Sequence, residues 1–378
     1  MRNSENTRIA FLELVKAGLW GNGNPDIRID GTTDWQEVYR LATEQSVLGL
    51  VLAGLEHSDV KPPQVLLLQW IGEVQMIEQR NKAMNAFVSE TIDTLREQDI
   101  YALLVKGQGI AQCYEKPLWR PSGDIDFFLS KDNYGKAVSF FKNRYSNYKD
   151  GGRYSQEYAF YTDQWMIEVH GSLRTCLSSR IDTVVDTVQK SVFYGGNVRS
   201  WDNNGTLVFL PAPTEDVFLV FTHFIKHFYK EGMSLRQVCD WCRLLWTYRE
   251  SLNYGNLELW ITKCGLMGEW KAFYNLASRY LSMPDLGLRL TGVESATSRH
   301  SSNKFGSAHD SIADFMVCDS RYDKKAEKLM EFILGGYSGN KIKDTLQIAK
   351  IFPWKALRYS PSIFLNVNWM KIRERLFN

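Results

Sequence analysis

Hydrophobic positions in the first hundred residues keep a helical period. Ile9, Leu12, Val15 and Leu19 recur at three- and four-residue spacing, as do Val38, Leu41 and Ala42. Asp34 stands where an N-cap belongs, with Glu37 three residues on as its capping-box partner. Pro62-Pro63 opens a long helix through Leu66, Trp70, Ile77, Met84 and Val88 to Leu95. From Asp99 the pattern changes. Tyr101 to Val105 is a short apolar run that predicts a buried strand, Gly107 to Tyr114 a helix, Gly123 to Leu129 a second strand and Tyr134 to Phe141 a helix. Glu157 to Thr162 and Trp165 to His170 read as strands split by an Asp163-Gln164 turn. Ile181 to Gln189 reads as a helix, then Val192 to Trp201 and Thr206 to Leu210 as closing strands. Pro211-Ala212-Pro213 marks a boundary. Thr214 is expected to cap the next helix, with Glu215 and Asp216 in its first turn, where the helix dipole favours acids. The helical pattern runs to about Ser282, gives way to a polar, Ser-rich loop over Glu294 to Ser311, and resumes from Ala313 to Leu334.

This alternation divides the chain into a helical lobe over residues 1–98, a compact core of mixed strands and helices over 99–212, and a helical lobe with a basic tail over 213–378. At 378 residues and 44% hydrophobic, the chain has the length and composition of a globular protein with sizeable cores. A net charge of +2 gives no sign of a dedicated DNA-binding protein. The tail is the exception, with Lys341, Lys343, Lys350, Lys355, Arg358, Lys371, Arg373 and Arg375 against Asp344 and Glu374. It reads as a solvated helical face, or as a contact for a phosphorylated or nucleic-acid partner. No run of about 18 apolar residues predicts a membrane span, and no secretory signal opens the chain. Six dispersed cysteines then make the cytoplasm the expected compartment.

The chemistry concentrates in the core. Asp124 and Asp126 alternate with Ile125 on one strand, so both carboxylates face the same way. Two acids that close repel unless a cation stands between them, and hard oxygen ligands favour Mg2+ or Mn2+. In Trp165 to His170, Glu168 and His170 share one face while Ile167 and Val169 share the other. An acid interrupting an apolar strand either faces solvent or joins the aspartates around a metal. The turn Lys106-Gly107-Gln108-Gly109 ends one strand and opens a helix. It is either a plain connection or a phosphate-binding one, but neither a Walker A loop nor a G-x-G-x-x-G fingerprint.

Lys106-Gly107, Tyr114, Pro117, Arg120, Gly123-Asp124-Ile125-Asp126, Glu168-x-His170, His223 and Arg236…Asp240 together resemble the bacterial uncharacterised nucleotidyltransferase family, within the polymerase-β-like superfamily. The resemblance covers roughly Tyr101 to Asp240. It implies an α+β fold: a nucleotidyltransferase core with a mixed sheet, flanked by helical lobes. The implied activity is magnesium-assisted transfer of a nucleoside monophosphate from an NTP, ATP among the candidates, to a hydroxyl on a small molecule, protein or RNA. Asp124, Asp126 and Glu168 would then be catalytic and hold the metal, with Glu168 also helping to deprotonate the acceptor. Lys106, Gly107 and Arg120 would neutralise phosphates, and His170 would position a phosphate or the acceptor or lie one shell out. His223, Arg236 and Asp240 would border the nucleotide, unless Arg236 and Asp240 simply pair along their helix. One departure stands out: the superfamily has Gly-Ser or Gly-Gly at the turn, whereas here Gln108 follows Gly107.

That departure favours a rival reading, a catalytically inactive nucleotide- or partner-binding protein on the same fold. A metal-dependent hydrolase built on the same acids is a third; the only H-D pair, His309-Asp310, lies in the Ser-rich loop with no second His or acid cluster beside it. His223 and His227 share a helix face and precede Cys239-x-x-Cys242. The cysteines, however, fall on an apolar stripe with Leu235, Val238 and Leu245, which predicts core packing rather than zinc ligation.

Overall fold

The computed structural model describes residues 2–21, 29, 32–152, 155–286, 315–336 and 338–359. Four helices open the chain: α1 (Arg2–Trp20), α2 (Trp35–Glu44), α3 (Leu48–Glu56) and α4 (Gln64–Glu97). Asp34 caps α2 as its position predicts, accepting from the N–H groups of Gln36 and Glu37 at 3.1 Å. The reciprocal half of the capping box does not form. Glu37 turns outward to Arg40 at 2.7 Å, and Thr7 Oγ1 accepts the Asp34 N–H at 3.1 Å, tying α1 to α2.

The core holds a five-stranded mixed sheet of β1 (Ala102–Val105), β2 (Asp124–Leu129), β3 (Tyr148–Asp150), β4 (Glu157–Tyr161) and β5 (Met166–His170), in the order β1-β2-β5-β4-β3. Only β2 and β5 run parallel. They are linked through helix α6 (Lys131–Arg144) and the β3–β4 pair. Strand alternation then sorts the side chains. Ile125, Phe127, Leu129, Ile167 and Val169 pack with Met84, Val88 and Ile92 of α4 and with Phe141 of α6. The opposite face carries Asp124, Asp126, Glu168 and His170, so the acids all lie on the side turned away from α4.

The expected closing strands behave differently. β6 (Val198–Asn203) and β7 (Thr206–Pro211) pair only with each other, in a separate two-stranded sheet. Asn204 and Gly205 both take positive φ, 53° and 94°, as a type I′ hairpin turn requires. The hairpin therefore pairs locally and lends Val208 and Leu210 to the apolar side of the main sheet.

Helices α5 (Gly107–Ala111) and α7 (Ser179–Tyr194) complete the core region. Beyond it come α8 (Pro213–Lys230), α9 (Leu235–Tyr248), α10 (Tyr254–Cys264), α11 (Met267–Tyr280), α12 (Asp323–Leu334), α13 (Lys341–Ala349) and α14 (Pro353–Tyr359). Thr214 is not the cap of α8. Ala212 occupies that position with Pro213 as the first helical residue, and Thr214 Oγ1 instead accepts the Asn253 N–H at 2.9 Å. Phe11 and Val51 before the sheet, Val105 and Phe128 within it, and Phe221, Trp241 and Trp270 after it belong to one apolar cluster. The helices before and after the sheet thus share one core with it. No helix among the described residues is long and apolar enough to cross a membrane. The Ser-rich stretch with His309-Asp310, and Lys371, Arg373, Glu374 and Arg375 of the tail, lie outside the described residues.

Candidate active site

The site is built where β1 ends beside the start of β2. Val105 lies opposite Asp126 in the antiparallel ladder. The chain then turns on Lys106, whose φ of 57° and ψ of −143° are costly for a residue with a β-carbon, on the order of 1–3 kcal/mol. That turn delivers the Lys106 ammonium to Asp126 Oδ1 at 2.7 Å. Gly107 follows at φ 32°, where an added β-carbon would also stand 3.2 Å from Ser122 Oγ. Gln108, the residue that departs from the superfamily turn, points away from the site. It is buried and gives its amide N–H to Asn81 Oδ1 of α4 at 2.9 Å.

Parallel register sets Asp126 beside Glu168. His170 Nε2 lies 2.8 Å from Asp126 Oδ1 and 3.3 Å from Glu168 Oε2. Its Nδ1 is 3.6 Å from Glu157 Oε2. One donor atom each from Asp126, Glu168 and His170 lies within 4.8 Å of the others, a grouping able to hold a metal ion. Asp124, two residues up the strand, lines the same cavity but is not in that group. Two carboxylates fit a hard divalent cation, and the imidazole widens the fit toward Mn2+.

The electrostatics follow from this crowding. Burial disfavours the charge on Asp126, but Lys106 and His170 outweigh it and hold its pKa well below the ordinary carboxylate range. Burial also opposes a charged Lys106, and Asp126, Glu168 and Asp124 overcome it. His170 is likewise raised against its burial by its bonds to Asp126 and Glu168. Asp124 is compensated less, because Lys106 and Arg236 offset only part of what acts on it. The negative charge of Asp126, and then burial, push it up to about 6 from 3.8. A carboxyl whose folded value is raised contributes stability that is full below its unfolded value and is lost as pH rises through the folded one. In metal-free protein, Asp124→Asn is therefore expected to exceed the wild type by about 2–3 kcal/mol at pH 8, with the gain vanishing near pH 4. Paired denaturant melts measure it; equal stability at pH 8 would refute the crowding.

Asp124, Asp126, Glu168, Lys106, Gly107, Arg120, His170, His223 and Arg236 all line one cavity of about 330 Å3 between the sheet and helices α8 and α9. Not all point their charge into it. Arg120 grips Asp240 with two hydrogen bonds of 2.7 Å, and Tyr114 donates to the same carboxylate at 2.8 Å. The Arg236–Asp240 pair open to the helix spacing is thereby pre-empted, because a planar guanidinium matches both carboxylate oxygens at once. The Arg236 guanidinium is left with one bond, from Nη1 to the Pro121 carbonyl at 3.1 Å, and its buried Nε has no partner. Burial, and then the neighbouring charge of Arg120, lower its pKa.

On α8, His223 and His227 face the cavity with their Nε2 atoms 3.0 Å apart, and Glu231 sits 3.0 Å from His227 Nδ1. Cys239 and Cys242 are fully buried in the apolar cluster, so the helix packs them as core and they join no ligand set. Glu157 and Glu231 escape the residue-by-residue reading. Counting outward from the Asp163-Gln164 turn places Glu157 opposite His170, and Glu231 is four residues beyond His227.

A family model described as "uncharacterised nucleotidyltransferase" matches residues 31–280. No curated protein and no solved structure matches the chain. The matched span runs from α2 through α11 and takes in the whole sheet, the Lys106 turn and every cavity residue named above. On that match, the chain belongs to the uncharacterised nucleotidyltransferase family.

Proposed function

We propose that the protein transfers a nucleoside monophosphate from an NTP, with ATP the first candidate, to a hydroxyl acceptor and releases pyrophosphate. The observation that carries this reading is the register of β2 and β5, which sets Asp126 beside Glu168 on the cavity face with Asp124 adjoining. Asp126 and Glu168, with His170 and Asp124 at hand, would hold Mg2+ or Mn2+. Such an ion, when bound, supplies Lewis-acid stabilisation of the phosphoryl oxygens and the departing pyrophosphate.

The remaining roles fall to the chain itself. Glu168 takes the proton of the acceptor hydroxyl at a carboxylate oxygen. Arg236, whose Nε lacks a partner, offers its guanidinium to a phosphate oxygen. Lys106 exchanges Asp126 for a phosphate when the nucleotide enters, and the Gly107 backbone leaves room for that phosphate beside the turn. Arg120 supports the phosphates through Asp240 and the loop between, rather than by contact. His170 fixes the Asp126 and Glu168 carboxylates, and His223 borders the nucleotide from α8. The 213–378 helices close the cavity opened by the 99–212 core, with the 1–98 helices bracing it. Six free cysteines suit a reduced compartment, the cytoplasm.

One observation favours a second reading. The Lys106 ammonium stands on Asp126, where a cation would be needed, as it would in a protein that binds nucleotide without transferring it. Incubation with labelled NTPs, Mg2+ and pools of small-molecule, protein and RNA acceptors separates the two. Transfer lost in Asp124→Ala with Asp126→Ala supports the enzyme. Nucleotide binding without label transfer supports the binding protein, and transfer that survives the double substitution overturns the site.

A further inference from the structure

The two histidines of α8 form a close pair on the cavity wall. His223 Nε2 and His227 Nε2 are 3.0 Å apart, one helical turn from each other on the cavity wall. Two imidazole nitrogens bound at 2.0–2.1 Å to a tetrahedral ion stand about 3.3 Å apart. Their ring centres are only 4.5 Å apart with planes at 75°. A straight N–H···N bond of this length would hold the centres more than about 5 Å apart. The contact is therefore a bent N–H···N hydrogen bond, one ring donating to the other, and a divalent ion that displaces the shared proton would take both nitrogens as ligands.

The surroundings complete the pattern. The Glu231 carboxylate stands 3.0 Å from His227 Nδ1, which favours a proton on Nδ1 and turns the Nε2 lone pair to His223. A carboxylate behind a ligating imidazole orients the ring and raises its basicity. Lys226, 3.5 Å from the other Glu231 oxygen, anchors that carboxylate from its far side. The nearby cysteines are packed away in the core, so nothing on α9 competes for the ion.

We propose that His223 and His227 form a second cation site for a borderline divalent metal of the zinc, nickel and cobalt class, with Glu231 as the carboxylate that positions His227. Two protein ligands leave coordination positions open toward the cavity, facing the carboxylates of β2 and β5. An ion held there offers an anionic ligand a contact from the helical wall. The proposal stands on the histidine geometry alone and is independent of nucleotidyl transfer.

The test uses the full chain, Ni2+ alone and no nucleotide, in excess Mg2+ to occupy the carboxylates. Calorimetry is expected to show one more equivalent of Ni2+ bound by the wild type than by His223→Gln with His227→Gln. Glu231→Gln should keep that equivalent but weaken it about tenfold or more. Equal uptake by the wild type and the double variant would overturn the site. Should the double variant fail to fold, Cu2+ bound to the wild type decides by its electron spin resonance. Coupling to two imidazole nitrogens supports the pair, and coupling to fewer refutes it. Because no NTP is present, a negative result leaves the nucleotide reading untouched.

Discussion

Asp126→Ala is expected to abolish measurable transfer, a loss on the order of 10^3-fold or more, and to destabilise the protein by about 3–5 kcal/mol. The two effects share one cause. Asp126 is 1% exposed and answers both Lys106 and His170 through a single oxygen. Removing it strands the half-buried Lys106 ammonium and the buried His170 ring. The activity loss alone would not separate a catalytic carboxylate from a structural one, but a double-mutant cycle does. Lys106→Met is expected to recover much of the stability lost in Asp126→Ala, because the ammonium no longer needs a partner, while restoring none of the transfer. Denaturant midpoints and pyrophosphate release, measured on the same four proteins, give both halves. A cycle with no coupling in stability would contradict the Lys106–Asp126 pair.

Asp240→Ala is expected to cost a similar 3–5 kcal/mol, although Asp240 touches no reacting group. Its carboxylate satisfies Arg120, itself 5% exposed, and the Tyr114 hydroxyl. This triad joins the loop between α5 and β2 to α9, the helix that carries Arg236. Replacing both charged partners, as in Arg120→Met with Asp240→Leu, should recover most of the loss, since a buried ion pair seldom outperforms apolar packing of the same volume. The recovered protein should still bind nucleotide more weakly than the wild type, because the loop that sets Arg236 has lost its tether. Unfolding curves of the single and double variants measure the first claim, and nucleotide titration of the double variant the second.

Strand-face alternation made the acidic half of the cavity legible. Asp124, Asp126, Glu168 and His170 follow from period-two counting on two strands, and parallel register then put Asp126 level with Glu168. The pairing of charges was not legible, because it depends on contacts across long stretches of chain. Arg236 and Asp240 look like partners on a helix. Only the fold shows Arg120, 120 residues away, taking the carboxylate first. The same holds for Gln108. By sequence it disturbs the phosphate turn; in space it turns outward to Asn81 and leaves the cavity side to Lys106 and Gly107. The β6–β7 hairpin is the opposite case. Its Asn204-Gly205 turn was a local signal sufficient to predict independent pairing, hidden because the apolar run from Val192 reads as strand, whereas α7 continues to Tyr194 and β6 begins at Val198.

The central claim is that this cavity holds a metal–nucleotide complex. Calorimetric titration of the wild type with each NTP, in the presence of Mg2+ and again with the divalent ion removed, tests it most directly. The account predicts that at least one NTP binds, that binding weakens when the ion is chelated, and that Arg236→Met weakens it further by about tenfold. Absence of binding by every NTP with either Mg2+ or Mn2+ would contradict it.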